Sequence, residues 1–271
     1  LMKKAQLALF SQPLTVEKVY SALDRAARAS GSGAQETKLK ILAGLLNQSS
    51  PLEAKFIVRL VVGTLRLGVA DYTILDGLAE AFVGGKENRA VIERAYNLSS
   101  DLGLVAKVLV EKGFDELKKF GPEVGRPIRP MLAERLTRAE EVLEKIGNEV
   151  SVEYKLDGER VQVHKNGDRI TLLYRRLENI THHYPDVVKI SRESIFLEKC
   201  IVEGEIVAFN PETGELLPFQ ELMHRRRKYD VEKVMEEIPA MVYFFDILVV
   251  DGMDLTQQPY LTRRSMLTKY V

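Results

Sequence analysis

Glu153 and Lys155 lie two residues apart, so in a strand both side chains would leave the same side of the sheet. Asp157, Gly158 and Arg160 follow at once. The ordinary structural reading is an exposed ion pair on a solvated sheet face. The chemical reading is a lysine nucleophile on a pocket floor. That role needs a neutral amine, which desolvation and a nearby cation such as Arg160 would favour by lowering the lysine pKa. These residues alone leave both readings open.

Four further stretches bear on the choice. Arg175-Arg176 ends a candidate strand and reads either as a solvated charge cluster or as a phosphate site built from guanidinium groups. Glu203 and Glu205 flank Gly204 and put two carboxylates on one strand face. Like charges so placed need a cation or hydroxyl groups to satisfy them, which suits magnesium or a ribose. Phe245, within Tyr243-Phe244-Phe245-Asp246, is either a core residue or a ring that stacks on a base. Arg225-Arg226-Arg227-Lys228 is either a solvated charge run or a contact to a phosphate backbone. No P-loop or dinucleotide fingerprint occurs, so any nucleotide must be held in another way. The single cysteine, Cys200, cannot form an internal disulfide, and no Cys/His cluster has zinc-site spacing.

The elements that must position these residues change character along the chain. Through residues 13–118 the apolar residues recur at helical spacing. Thr15 can cap a helix, with Leu14 packing on Val19 as a hydrophobic staple. Ser50-Pro51-Leu52-Glu53 predicts a capping box with proline in the first turn, and that helix should run to about residue 67 and stop at Gly68. Further helices are expected over 72–82, 87–98 and 101–111. Residues 121–130 hold three prolines and two glycines and read as a linker. A helix capped by Thr137 and Glu140, ending near Gly147, should follow. From Val150 the apolar period drops to two. Val150, Val152, Tyr154 and Leu156 are expected on one face of a strand, opposite Ser151, Glu153 and Lys155. Strands over 161–165 and 169–175 should meet at an Asn166-Gly167 hairpin. Strands are also expected over 201–209 and 241–250, a helix over 187–196, and a loop at 210–214. The fold class is therefore multidomain: an all-α part followed by an α+β part with an antiparallel sheet. The expected division is a helical domain over 1–120, a linker over 121–130 and a second domain over 131–271.

Length and charge bound the partners. A chain of 271 residues suggests about two domains. Its 39 basic and 39 acidic side chains cancel. The balance is uneven, since residues 1–120 carry 17 basic and 13 acidic side chains, the direction expected if that half meets phosphate. With 45% hydrophobic and 29% charged residues the composition is that of a soluble globular protein. No apolar run approaches the ~20 residues of a membrane span. The start, Leu1-Met2-Lys3-Lys4, has no signal-peptide architecture. A reducing, cytoplasmic setting is expected, or a nuclear one in a eukaryote.

The ordered set Glu153-Tyr154-Lys155-Leu156-Asp157-Gly158-Glu159-Arg160, Arg175-Arg176-Leu177-Glu178, Glu203-Gly204-Glu205 and Phe244-Phe245-Asp246-Ile247 resembles the covalent nucleotidyltransferases. Within them it looks like the ATP-dependent DNA ligases of the archaeal and eukaryotic type. Gly63-Thr64-Leu65-Arg66-Leu67-Gly68-Val69-Ala70, Ser100-Asp101-Leu102-Gly103-Leu104-Val105-Ala106 and Arg126-Pro127-Ile128-Arg129-Pro130-Met131-Leu132-Ala133 are similar to that family's helical DNA-binding domain and its linker. The resemblance implies that Lys155 takes AMP from ATP as a phosphoramidate. It then passes AMP to the 5′-phosphate of a nick in double-stranded DNA, which the 3′-hydroxyl displaces. Glu153 matches the reader of the adenine amino group, and Phe245 the ring that stacks on adenine. Glu205 matches the carboxylate near ribose and Mg2+. Arg160 and Arg175 match the arginines on ribose and phosphate oxygens, and Asp157 belongs to the nucleophile motif. Gly63, Arg66 and Gly68 are candidate contacts to the DNA backbone. Magnesium is the implied metal, nicked DNA the implied partner, a sliding clamp a further partner, and a monomer the implied state. Tyr174 departs from the family's small residue at that position. The family's later Glu-Gly and lysine motifs and its OB-fold domain have no counterpart here, so an internal fragment is expected that does not seal nicks by itself. RNA ligases and mRNA-capping guanylyltransferases share the lysine motif but not the helical half. A non-catalytic DNA-binding module with a surface Lys155 is the alternative of a different class.

Overall fold

The first helix, α1 (Val16–Arg28), starts where Thr15 accepts the backbone N–H of Lys18 at 3.2 Å, as the cap signal predicts. Helix α2 (Ala34–Gln48) enters from Gly33, and α3 (Pro51–Val61) from the Ser50–Glu53 capping box with Pro51 in its first turn. In that box the Ser50 N–H reaches Glu53 at 2.8 Å and the Glu53 N–H reaches Ser50 at 3.3 Å. The computed structural model describes residues 13–64, 68–147, 149–227 and 231–271. Helix α3 ends at Val61, not near Gly68 as expected. Gly63 adopts φ +70°, its N–H bonds to Leu60 and the Thr64 N–H bonds back to Arg59. That paired closure of the last turn lets the earlier glycine stop the helix. Compactness divides the chain into residues 1–70 and 71–271. In the first unit the three helices pack on a small core of Ala22, Leu45 and Ile57, joined by Leu14, Val19, Leu23, Ile41 and Leu46.

The second unit opens with α4 (Asp71–Phe82), a single 3-10 turn at Lys86–Asn88, α5 (Arg89–Ser99), α6 (Leu102–Lys112) and the short α7 (Phe114–Lys118). Asp101 caps α6 by accepting the Leu104 N–H at 2.9 Å. These helices close on Leu75, Ala79, Ile92, Tyr96, Val105 and Leu117. Helix α8 (Ala139–Ile146) ends at Gly147 as expected. Its start differs from the expected Thr137–Glu140 box: Arg138 takes the cap position and no side chain caps the helix.

The sheet comprises β1 (Glu159–Asn166), β2 (Arg169–Tyr174), β3 (Lys199–Ala208), β4 (Ala240–Val250) and β5 (Met253–Asp254), in the order β2-β1-β3-β4-β5 with every pairing antiparallel. Asn166 pairs with Arg169, so the turn residues are Gly167, at φ +59°, and Asp168. One sheet face packs Val161, Val163, Leu172, Val202 and Ile247 against Tyr184, Ile195 and Val187 of and around α9 (Pro185–Ser194). Helices α10 (Phe219–Arg227), α11 (Val231–Glu237) and α12 (Tyr260–Tyr270) complete the unit; the sequence reading placed none of the three. Arg225 is not a solvated charge. It is 3% exposed and makes two hydrogen bonds to Asp186, at 2.6 and 2.7 Å.

The strand expected from Val150 does not form. Residues 149–158 join no ladder, with Val152 90% and Tyr154 97% exposed. A period-two pattern becomes a strand only when a neighbour takes its backbone hydrogen bonds, and among the described residues none does so here. The proline-rich stretch 121–130 is tied down along its length. The Ser100 hydroxyl donates to Pro127 O at 2.6 Å and the Arg129 N–H to Asn97 O at 2.8 Å. On the sheet side, the Gly125 N–H reaches His164 Nδ1 at 2.9 Å and the Ile128 N–H reaches Gln162 Oε1 at 3.0 Å. Ile128 is buried with Leu98, Ile201 and Val249. The segment is a strap across the second sheet face.

Candidate active site

Gly158 sets the entry to β1. A Cβ there would lie 2.2 Å from Ile206 O and 2.8 Å from Glu205 Cγ, so only glycine lets the two strands approach. Beyond it the strand alternates. Glu159 turns to the apolar core, 1% exposed, and accepts the Tyr184 hydroxyl. Arg160, Gln162 and His164 turn to the opposite face. Arg160 stands across from Glu205, and Gln162 across from Glu203.

On β4 the register slips: Glu203 faces Asp246 while Gly204 faces Phe244, leaving Phe245 as the extra residue of a bulge. Gly204 permits this closeness, since a Cβ there would meet Val242 at 2.8 Å and Tyr243 O at 3.0 Å. The Phe245 ring lies 5.4 Å from the Arg160 guanidinium carbon, within cation–π range. Arg263 clamps Asp246 with two bonds at 2.8 and 2.9 Å, and Arg264 lies 3.4 Å from the carbonyls of Phe244 and Phe245.

These elements enclose a cleft of about 840 Å³. Glu153, Lys155, Arg160, Arg175, Glu205 and Phe245 all line it. The Lys155 amine donates to Leu156 O at 3.2 Å, and Glu153 accepts the Tyr260 hydroxyl from α12. That bond to a carboxylate pushes the Tyr260 phenol above its ordinary range. Burial raises the Glu205 carboxyl pKa, while Lys155, Arg160 and the Gly158 backbone N–H work against the shift. Asp157 does not line the cleft; it accepts the Phe219 N–H at 3.2 Å and so fixes the start of α10. Phe219 does line it, as do Met131, Leu132, Tyr174, Tyr243, Phe244 and Arg264. The sequence reading missed Tyr260, Arg263 and Arg264, although their i, i+3, i+4 spacing places three polar groups on one helix face. Arg66 and Lys228 lie outside the described residues. Gly63 and Gly68 take φ +70° and +72°, with open space around each.

The cleft thus combines an amine, three guanidinium groups, a carboxylate between cations, an aromatic face and a carboxylate acceptor. Among the described residues no group of three His, Cys, Asp or Glu side chains could hold a metal by itself. Both oxygens of Glu203 are engaged, by Arg160 and by Gln162. No described helix is long and apolar enough to cross a membrane.

Two family models match the chain: "ATP dependent DNA ligase domain" over residues 130–271, and "DNA ligase N terminus" over residues 1–79. "DNA ligase 2" of Thermofilum pendens is 58% identical over 95% of this chain and 43% of its own length. The DNA ligase of Sulfophobococcus zilligii is 55% identical over 99% of this chain and 45% of its own. That of Hyperthermus butylicus is 57% identical over 95% of this chain and 42% of its own. The chain thus spans under half the length of these curated relatives. With the first model matching more than half of its residues, the chain belongs to the family of ATP-dependent DNA ligase domains.

Proposed function

We propose that this chain is the nucleotide-charging portion of an enzyme that seals nicks in double-stranded DNA at the expense of ATP. The observation that carries the reading is convergence: Glu153, Lys155, Arg160, Arg175, Glu205 and Phe245, drawn from three strands and two connecting segments, line one cleft. The Lys155 amine attacks the α-phosphorus, an N–P bond forms, the α–β P–O bond breaks, and pyrophosphate leaves. The amine proton passes to solvent. Arg160 and Arg175 bring positive charge to the oxygens where negative charge builds. Phe245 offers its face to adenine with Arg160 behind it, and Glu153 accepts from the exocyclic amine. Glu205, a single carboxylate within reach of bound phosphates, fits Mg2+, which takes one or two carboxylates plus phosphate oxygens. Bound there, the ion would screen phosphate charge. AMP then moves to the 5′-phosphate of the nick, and the 3′-hydroxyl displaces it.

Residues 1–120 serve as the DNA-holding module and 131–271 as the nucleotide module, joined by 121–130, although compactness groups 71–120 with the sheet. Gly63, Arg66 and Gly68 contact the DNA backbone. Asp157 acts by seating Phe219 at the cleft wall. The protein works as a soluble monomer, with a sliding clamp as a second partner. The 271 residues alone do not seal nicks and take up little AMP. The test is incubation of a ligase of the relatives' full length, bearing this segment, with labelled ATP and magnesium. One AMP per protein should appear, and Lys155→Ala should abolish it. Label that survives the substitution removes Lys155 from the mechanism.

A further inference from the structure

The strap and the cleft occupy one face of the sheet, and the strap reaches the cleft directly at Pro130 and by hydrogen bonds through Gln162. Gln162 is 7% exposed and uses every hydrogen-bonding position of its amide. Oε1 accepts the Ile128 N–H at 3.0 Å and lies 3.3 Å from His164 Nε2. Nε2 donates to Ile128 O at 2.7 Å and to Glu203 Oε1 at 2.9 Å. The neighbours leave the amide one orientation. His164 Nδ1 accepts the Gly125 N–H, so its proton sits on Nε2 and points at Gln162 Oε1. The opposite face of the amide must then donate. Its second donor bond ends on Glu203, 4% exposed, whose other oxygen holds Arg160. Arg160 in turn backs the Phe245 ring in the cleft.

We propose that Gln162 is a positioning residue for the nucleotide site. It locks the strap at Ile128 and, through Glu203, holds the Arg160 guanidinium where it meets ribose, phosphate and the stacked ring. The inference rests on the ligase reading of the cleft and extends it: nucleotide affinity depends on the strap being seated. Gln162 touches no substrate. Its loss leaves Arg160 present but with a looser carboxylate partner, so the effect falls first on nucleotide binding and to a smaller extent on lysine attack, through the charge that Arg160 brings to the phosphate oxygens.

The test uses the same full-length ligase. Lysine–AMP formation is followed against ATP concentration in wild type, Gln162→Met, Glu203→Ala and the double variant. Gln162→Met keeps the side-chain length and should raise the apparent KM for ATP about tenfold, the scale of one lost hydrogen bond to a charged group, with a smaller fall in kcat. In the Glu203→Ala background the same change should add less than about twofold, because the path is already cut. Equal factors in both backgrounds, or a fall in kcat alone, overturn the proposal. Gln162→Glu, which sets a carboxylate against Glu203 and Ile128 O, serves where the methionine variant does not fold and should raise KM further. Amide hydrogen exchange over residues 125–130, measured without nucleotide, separates the two claims. Wild type that never labels Lys155 sinks the ligase reading. Unchanged exchange in Gln162→Met sinks the positioning role regardless of labelling.

Discussion

Residues 150–156 and strand β1 carry the same alternation of apolar and polar side chains, yet only β1 is a strand. Val161 and Val163 are fully buried, with β2 on one side and β3 on the other. Val152 and Tyr154 are almost fully exposed, and no strand lies beside them among the described residues. Alternation states which side chains share a face. Whether the face closes depends on a neighbour that can come from far away in sequence, as β3 does for β1. The consequence for chemistry is uneven. Arg160 and Glu205 are set by a ladder, whereas Lys155 and Glu153 reach the same cleft from a segment without one.

The contrast can be broken at three places, from the largest effect to the smallest. The first is His164, deep in the laddered region. Burial lowers its pKa from 6.5 to about 4. The unfolded chain takes up a proton as pH falls through 6.5 while the folded chain does not until about 4. The stabilisation is therefore full above pH 6.5 and lost on descent, amounting to about 3 kcal/mol over that window. Urea unfolding at pH 7 and 4.5 should show this loss in wild type and much less of it in His164→Asn, whose side-chain oxygen can still accept from Gly125. Parallel slopes would mean the ring is not buried neutral.

The second place is the junction, Gly158. Alanine there puts a Cβ against a strand carbonyl and should cost about 2 kcal/mol, read as a lower thermal midpoint. An unchanged midpoint would show that β1 does not begin as close to β3 as described. The third is the unladdered segment. Val152→Ser in the 271-residue chain should change stability by less than about 0.5 kcal/mol. A larger loss would mean the segment is covered after all.

The helical part was legible because its signals are local. Caps at Thr15 and Ser50 and the spacing of apolar residues need no distant partner. The helix end that moved furthest, from about residue 67 to Val61, turned on which of two glycines closes the last turn. In the sheet, β1 to β4 were readable to within a residue or two of each end. Helix α12 was not, although it carries Tyr260 and the arginine that clamps Asp246. Six of the seven expected nucleotide-site residues share the cleft because motif order already encodes which strands must be adjacent. What order cannot encode is the bulge at Phe245, the use of Asp157 to seat Phe219, or the burial of Arg225. Each of these depends on a contact to a residue more than ten positions away or on a register slip.

The strap carries one more lesson, about the unfolded chain rather than the folded one. Pro122, Pro127 and Pro130 mark residues 121–130 as a connection, and connections are commonly taken to be loose. Proline restricts the disordered chain, so a segment that holds three of them has fewer conformations to surrender when Ile128 and Arg129 are fastened. Each such residue in a compatible geometry favours the folded state by roughly 0.4–1 kcal/mol. The same composition that breaks helices here also makes this stretch inexpensive to immobilise, which suits a segment held between a helix bundle and the cleft.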